Sequence, residues 1–238
     1  MTSKPSTRKR SPTVTRRYGG LDAAERRRER QRKLVDAGLE VFGTRGYHLA
    51  SVRDICAEAG LTERYFYESF KTVGELFDAV YADLRSQLQQ RIMSAVLHQG
   101  IRASNAMNLG EGALRAWYMF LQDDPRAARI MLIDAVSVSE NGMRGAEAAI
   151  NEIAGMYRTF VSMLYPDLEK SGYDMDLVIA GLTGTAIYIA KHWVRAGFKQ
   201  TLDQVVQHNL AIYKSMAAAY QPAEAVAAPK SASRKPKA

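Results

Sequence analysis

The sequence predicts an all-α protein of about nine helices, and three observations carry that expectation. No segment alternates polar and apolar residues as a half-buried strand does. Apolar residues instead recur at three- and four-residue intervals through most of the interior, and Ser, Thr or Asp stands at the head of several of these runs. The 238 residues, 47% of them hydrophobic, are enough for a small helical module and a larger helical domain, each with its own core.

Residues 1–21 combine Ser, Thr, Pro and basic side chains with few apolar groups, so a disordered basic arm is expected. The first helix is predicted from about Asp22 to Phe42, where Leu34, Ala37, Gly38, Val41 and Phe42 share one face and Gly43 and Gly46 end the run. Ser51 with Asp54 resembles a capping box, and Val52, Ile55, Cys56 and Ala59 then recur at helical spacing. Gly60 suits the left-handed residue that closes a helix, Leu61 can plug a corner, and Thr62 is an N-cap for a second short helix. Thr72 with Glu75 opens a long helix whose stripe is Leu76, Val80, Leu84, Leu88, Ala95 and Val96. Residues 98–110 read as a loop, and Asp123-Asp124-Pro125 as a boundary with proline in a first helical turn. Further helices are expected near 111–122, 125–136, 143–164, 175–196 and 202–220. Residues 221–238, with Pro222, Pro229 and Pro236, form a second disordered basic tail. The domains are thus 22–75 and 76–220.

The net charge of +8 is unevenly spread: residues 1–34 carry +9, residues 221–238 carry +3, and the rest sums to −4. Basic ends on a mildly acidic body point to a localised polyanion contact. The single cysteine, Cys56, excludes an intramolecular disulfide. The most apolar run, Val178 to Ala190, is 13 residues and reads as too short for a bilayer, so no membrane partner and a cytoplasmic location are expected. No nucleophile elbow, phosphate-cradling glycine loop or paired-cysteine spacing is present, and the four histidines are dispersed. Hence no catalytic residue, metal ligand or cofactor is assigned, and the expectation is a non-enzyme.

Two short helices meeting at Gly60-Leu61-Thr62 have the form of a helix-turn-helix, which holds its second helix out for a DNA major groove. Arg64 and Tyr65, at the start of that helix, are the candidates for reading base edges, and Arg64 could instead meet a phosphate. Arg53 is similarly placed, while Ser51 and Thr62 can each put a hydroxyl or a helix-start amide on a phosphate. Some members of the Arg26-Arg27-Arg28-Glu29-Arg30 run are expected to meet the backbone too.

Gly46-Tyr47, Ser51-Val52-Arg53-Asp54-Ile55, Ala57-Glu58-Ala59-Gly60, Tyr67, Phe70 and Leu76-Phe77 together resemble the TetR family of transcriptional regulators. The resemblance implies an all-helical homodimer with an N-terminal operator-binding module and a C-terminal domain for a small-molecule effector. It also implies that the Tyr67 hydroxyl meets a phosphate. Family members often carry a lysine where this chain has Val73, and Lys71 stands in as the candidate phosphate contact.

For the effector, Trp117, Tyr118, Met131, Met156, Tyr188 and His192 are the candidate contacts, with Tyr188 and His192 sharing a helix face above Gly184. A largely apolar ligand is expected. Gly181, Gly184 and Ala190, with the stripe Leu202, Val205, Val206, Leu210, Tyr213, Met216, Ala217 and Tyr220, mark the last two helices as the homodimer contact, unless the stripe closes the chain's own core. The leading expectation is a repressor released from a double-stranded operator by its effector. The alternative is a nucleoid-type DNA-binding protein under no effector control.

Overall fold

The first helix, α1, runs Ala23–Arg45 and begins where the Glu25 carboxylate accepts the Asp22 N–H at 2.8 Å. The structure is a computed structural model and describes residues 22–98, 106–135 and 172–219, with scattered residues between 151 and 170. A single 3-10 turn over Tyr47–Leu49 leads to α2 (Val52–Ala59) and α3 (Glu63–Ser69). The long α4 covers Val73–Leu97, so the expected domain boundary at 75/76 falls within its first turn. Then come α5 (Ala106–Asp123) and α6 (Pro125–Arg129), which continues as one wider π-type turn over Ile130–Asp134. The chain closes with α7 (Met175–Arg195) and α8 (Leu202–Ala219). No strand occurs among the described residues.

Around α1 the small module closes on Leu34, Val41, Phe42, Ile55, Phe66, Leu76 and Phe77, all fully or almost fully buried. Each such side chain contributes about 1.5–3 kcal/mol through its removal from water. Phe42 meets Phe77 edge-on at 5.4 Å, which locks α1 across the start of α4. In the larger domain α4 packs on α5, and α5 on α8, with Tyr118 and Trp193 in T-shaped contact at 5.8 Å. The Trp193 indole donates to the Gln200 carbonyl at 2.9 Å and fixes the turn between α7 and α8.

Several expectations are corrected. Gly43 does not end α1, which continues to Arg45 and stops at Gly46 with φ +91°. Gly43 serves close approach instead, since a Cβ there would lie 2.2 Å from the Cβ of Arg126 on α6. The loop expected over 98–110 is shorter, because α5 already begins at Ala106 and Leu109 is fully buried. The helix α7 is 21 residues long and apolar enough to cross a membrane by length and composition, unlike the 13-residue run read from sequence. Its inner face is taken up by the core, through Val178, Ile179, Leu182, Ala186, Ala190 and Trp193. The helix expected over 143–164 lies mostly outside the described residues, as do residues 1–21 and 220–238.

Candidate nucleic-acid interface

Local chemistry builds the corner between α2 and α3. The Ser51 hydroxyl accepts the Asp54 N–H at 3.2 Å, and the Asp54 carboxylate accepts back from the Ser51 N–H at 3.2 Å. The Ser51 hydroxyl also donates to that carboxylate, and Arg45, at the end of α1, reaches it at 2.8 Å. The Ser51 hydrogen bond, with the Arg45 charge behind it, holds the Asp54 carboxyl below its ordinary value. At the other end of α2, Gly60 takes φ +63° and the Leu61 N–H returns to the Cys56 carbonyl at 3.0 Å, which turns the chain sharply. Thr62 then supplies the first accepting carbonyl of α3, to the Tyr65 N–H at 2.9 Å. Its hydroxyl makes no cap bond, so the capping role expected for that side chain is corrected: the extended backbone alone starts the helix.

The inner side of α3 is Phe66, fully buried, with Phe70 beside it at 6.0 Å between ring centroids. That anchoring turns the opposite side to solvent. The Arg64 side chain is 85% exposed and Tyr67 is 58% exposed, so both stand out from the body of the module. Tyr65 is only half-exposed, because the Arg30 guanidinium lies over its ring at 4.6 Å. Arg53 and Lys71 are exposed, and the Lys71 N–H donates to the Glu75 carboxylate at 2.7 Å. The same helix start has the Thr72 hydroxyl accepting the Glu75 N–H at 3.1 Å.

The arginine run of α1 divides its work. Arg26 and Arg28 point to solvent, whereas Arg27 donates to the Glu68 carbonyl at 3.1 Å and Arg30 lies 3.7 Å from the Glu68 carboxylate. Glu68 was missed in the sequence, although its four-residue spacing from Arg64 is visible there. The two pair at 3.1 Å.

A second set of unforeseen residues joins the module to the larger domain. Arg126 on α6 grips Asp124 through two nitrogens at 2.9 Å each and reaches Glu40 on α1 at 2.6 Å. Burial alone would raise the Asp124 carboxyl, but the bonds from Arg126 and from backbone amides bring it below its ordinary value. Arg129 donates to the Thr44 and Arg45 carbonyls, the orphan acceptors at the end of α1, at 3.1 and 3.4 Å. Nothing in the local sequence around 126 or 129 signals these distant partners.

Of the candidate effector contacts, Trp117, Tyr118 and Met131 are buried in the larger domain, and Met156 lies outside the described residues. The Tyr118 hydroxyl donates to Asn209 Oδ1 at 2.8 Å, Tyr213 donates to the Leu182 carbonyl at 2.7 Å, and the Tyr157 and Tyr213 hydroxyls are 2.6 Å apart. Burial pushes the Tyr157 hydroxyl up to about 12 and those of Tyr118 and Tyr213 further, so all three stay neutral. Thr183 Oγ1 and Asn209 Nδ2 are buried without a hydrogen-bond partner among the described residues. Tyr188 and His192 are corrected: Tyr188 is 76% exposed and His192 lies on the same outer face of α7, so neither points into this interior. Of the two roles open for the final-helix stripe, Val205, Val206, Leu210 and Tyr213 take the second, turning inward to close the chain's own core. What α7 and α8 leave uncovered is a different face, with Leu177, Gly184 and Tyr188 on one helix and Ala211, Ile212 and Ser215 on the other.

Residues 34–80 match the profile of bacterial regulatory proteins of the tetR family. The chain is 26% identical over 195 residues to YdgC of Bacillus subtilis, an uncharacterized HTH-type transcriptional regulator, across 78% of this chain and 92% of that one. It is 23% identical over 194 residues to the HTH-type transcriptional regulator BetI of Escherichia coli, across 76% of this chain and 89% of BetI. Among solved structures, the regulator FadR of Bacillus subtilis in complex with stearoyl-CoA has a similar fold. The TM-score is 0.64 at 17% identity, and the match covers 76% of this chain and 96% of FadR.

Proposed function

From a chain that belongs to the tetR family of DNA-binding transcriptional regulators, we propose a cytoplasmic homodimeric repressor that leaves its operator when a small, largely apolar effector enters the larger domain. The observation that carries the operator half is the outer face of α3. Arg64 and Tyr67 project from a helix whose other side is fixed by Phe66 and Phe70, and Arg53, Thr62 and Lys71 lie exposed around it. In this reading Arg64 takes a base edge and Tyr67 a phosphate, while Ser51, Arg53, Thr62 and Lys71 hold the backbone on either side. Tyr65, stacked under Arg30, supports the reading edge and contributes its rim.

The effector reading rests on an apolar interior with a few polar tips. Trp117 and Met131 supply apolar wall, and Tyr118, Thr183, Asn209 and Tyr213 supply neutral hydrogen-bonding groups. A ligand oxygen accepting from Asn209 Nδ2 would satisfy a donor that otherwise stays costly. The homodimer contact in this reading is the outer face of α7 and α8, where exposed Leu177, Tyr188 and Ile212 flank the bare Gly184. Two such faces across a two-fold axis make a four-helix bundle.

The test is selection of duplexes from a random pool by the full chain, followed by titration of the selected duplex against a scrambled one. A repressor of this kind selects a two-fold symmetric site, and with about 6–10 phosphates neutralised its affinity falls roughly 10³–10⁵-fold between 50 and 200 mM salt. Addition of a long-chain alcohol, or of stearoyl-CoA, the ligand in the FadR complex, reports release. No preference for any selected sequence, at any salt, refutes the operator reading and favours a nucleoid-type protein. Retention of the duplex by every apolar probe counts against the effector reading.

A further inference from the structure

We infer that Glu68 governs how strongly the reading head prefers its operator to other DNA, by holding Arg64 and Arg30 in paired, oriented positions. The inference rests on α3 being the reading helix. Three contacts converge at this residue. Its Oε1 accepts from Arg64 Nε at 3.1 Å, its Oε2 lies 3.7 Å from the Arg30 guanidinium, and its carbonyl accepts from Arg27 at 3.1 Å. Arg30 in turn covers the Tyr65 ring at 4.6 Å.

Helix stability does not account for a carboxylate here. Glu68 is the penultimate residue of α3, facing the negative end of the helix dipole, and Arg64 is the second residue, facing the positive end. The pair is therefore reversed relative to the dipole, and arginine before glutamate at four residues is the weaker order. Affinity for DNA does not account for it either, since a carboxylate beside a phosphate backbone opposes binding.

Orientation does account for it. With Nε tied to Glu68, the two terminal NH₂ groups of Arg64 stay available on a side chain that is 85% exposed. Those two groups can bridge O6 and N7 of a guanine. A guanidinium already neutralised by a carboxylate gains little from a phosphate in an arbitrary position, yet still gains from a base that meets its outward edge. Glu68 thereby lowers affinity for random sequence more than affinity for the operator, and through Arg30 and Arg27 it ties the reading edge to α1.

The experiment compares the full-length wild type with Glu68→Gln and Glu68→Asp on two duplexes: one selected from a random pool by the wild type, and a scrambled one of equal length. For Glu68→Gln the scrambled duplex binds about 5- to 10-fold tighter near 0.1 M salt, and the log affinity against log salt slope steepens by roughly 0.9 for each cation released. The selected duplex changes less, so the ratio of the two affinities falls by up to about 5- to 10-fold while the unfolding midpoint holds. Glu68→Asp keeps the charge and restores the ratio toward the wild-type value. A ratio within twofold of the wild type for Glu68→Gln overturns the inference. So does a parallel loss on both duplexes that Glu68→Asp fails to restore, which would mark Glu68 as a brace and nothing more. A wild type that selects no sequence refutes the reading-helix assignment itself, before any variant is made.

Discussion

Gly43 sits inside α1 at the point where α6 crosses it, and replacing it with alanine tests whether the two domains touch as closely as the geometry says. A Cβ at position 43 would stand 2.2 Å from Arg126 Cβ and 2.8 Å from Arg126 Cα. The second of these is backbone, so a rotamer change cannot relieve the overlap. The two helices must part by roughly 1 Å to reach ordinary contact. That movement strains the Arg126–Glu40 bond at 2.6 Å and the seating of Arg129 on the α1 carbonyls. Overpacking of this kind costs about 1–3 kcal/mol, against a gain of up to about 1 kcal/mol from replacing glycine within a helix. The net expectation is a loss of about 1–2 kcal/mol, read as a lower urea midpoint with an unchanged slope. Gly110→Ala is the matched control, since position 110 is helical with nothing among the described residues within 4 Å of an added Cβ. It should be neutral or stabilising. If Gly43→Ala proves as stable as Gly110→Ala, the close crossing of α1 and α6 is wrong.

Tyr67→Phe removes only a hydroxyl from a side chain that is 58% exposed, so stability should hold while DNA affinity drops about 10-fold or more, measured by gel shift on specific and random duplexes alike. Gly184→Leu adds bulk where no other described part of the chain stands within 4 Å of an added Cβ. Sedimentation should therefore show a weakened dimer with the protomer still folded, and an unchanged dimer constant would remove the α7–α8 face as the contact. Asp134 is buried, and burial pushes its carboxyl above its ordinary value of 3.8 against the pull of Arg129 and the Tyr47 amide. The folded state then holds that proton more tightly than the unfolded chain. Stability from this group is present at low pH and is lost as pH rises through the raised folded value. Urea midpoints measured from pH 3.5 upward should show Asp134→Asn gaining on the wild type as pH rises, and parallel curves would refute it.

Features that depend on near neighbours were legible in the sequence. Ser51 with Asp54, Gly60 and Thr72 with Glu75 all act within a few residues, so the corner of α2 and α3 and the start of α4 stand where their capping chemistry puts them. The ends of α7 and α8 fall within a residue of expectation for the same reason. Gly43 was misread because the demand for a missing side chain comes from Arg126, remote in the chain. Tyr188 and His192 were correctly placed on one face, but α7 is apolar all round, and periodicity alone does not say which of its faces meets the core. The stripe of α8 was also a true face whose covering partner, the chain's own α5 and α7, is a tertiary fact.

In the proposed reading, the same tertiary contacts give an effector event two routes to α3. Asp123 and Asp124 are adjacent at the corner between α5 and α6, and each holds a different route to the reading module. Asp123 pairs with Arg91 on α4 at 2.6 Å, and α4 runs unbroken to Thr72 beside α3. Asp124 caps α6 and grips Arg126, which holds Glu40 on α1, and α1 in turn holds α3 through Arg27 and Arg30. A ligand that draws Tyr118 or Asn209 to itself acts on α5 or on the helix packed against it, and α5 ends at that corner. Both routes are anchored on neighbouring residues, so in that reading a displacement of the corner would pass to α1 and α4 together and through them to α3. The ligand need only bind better with the corner displaced than with it seated for operator affinity to fall.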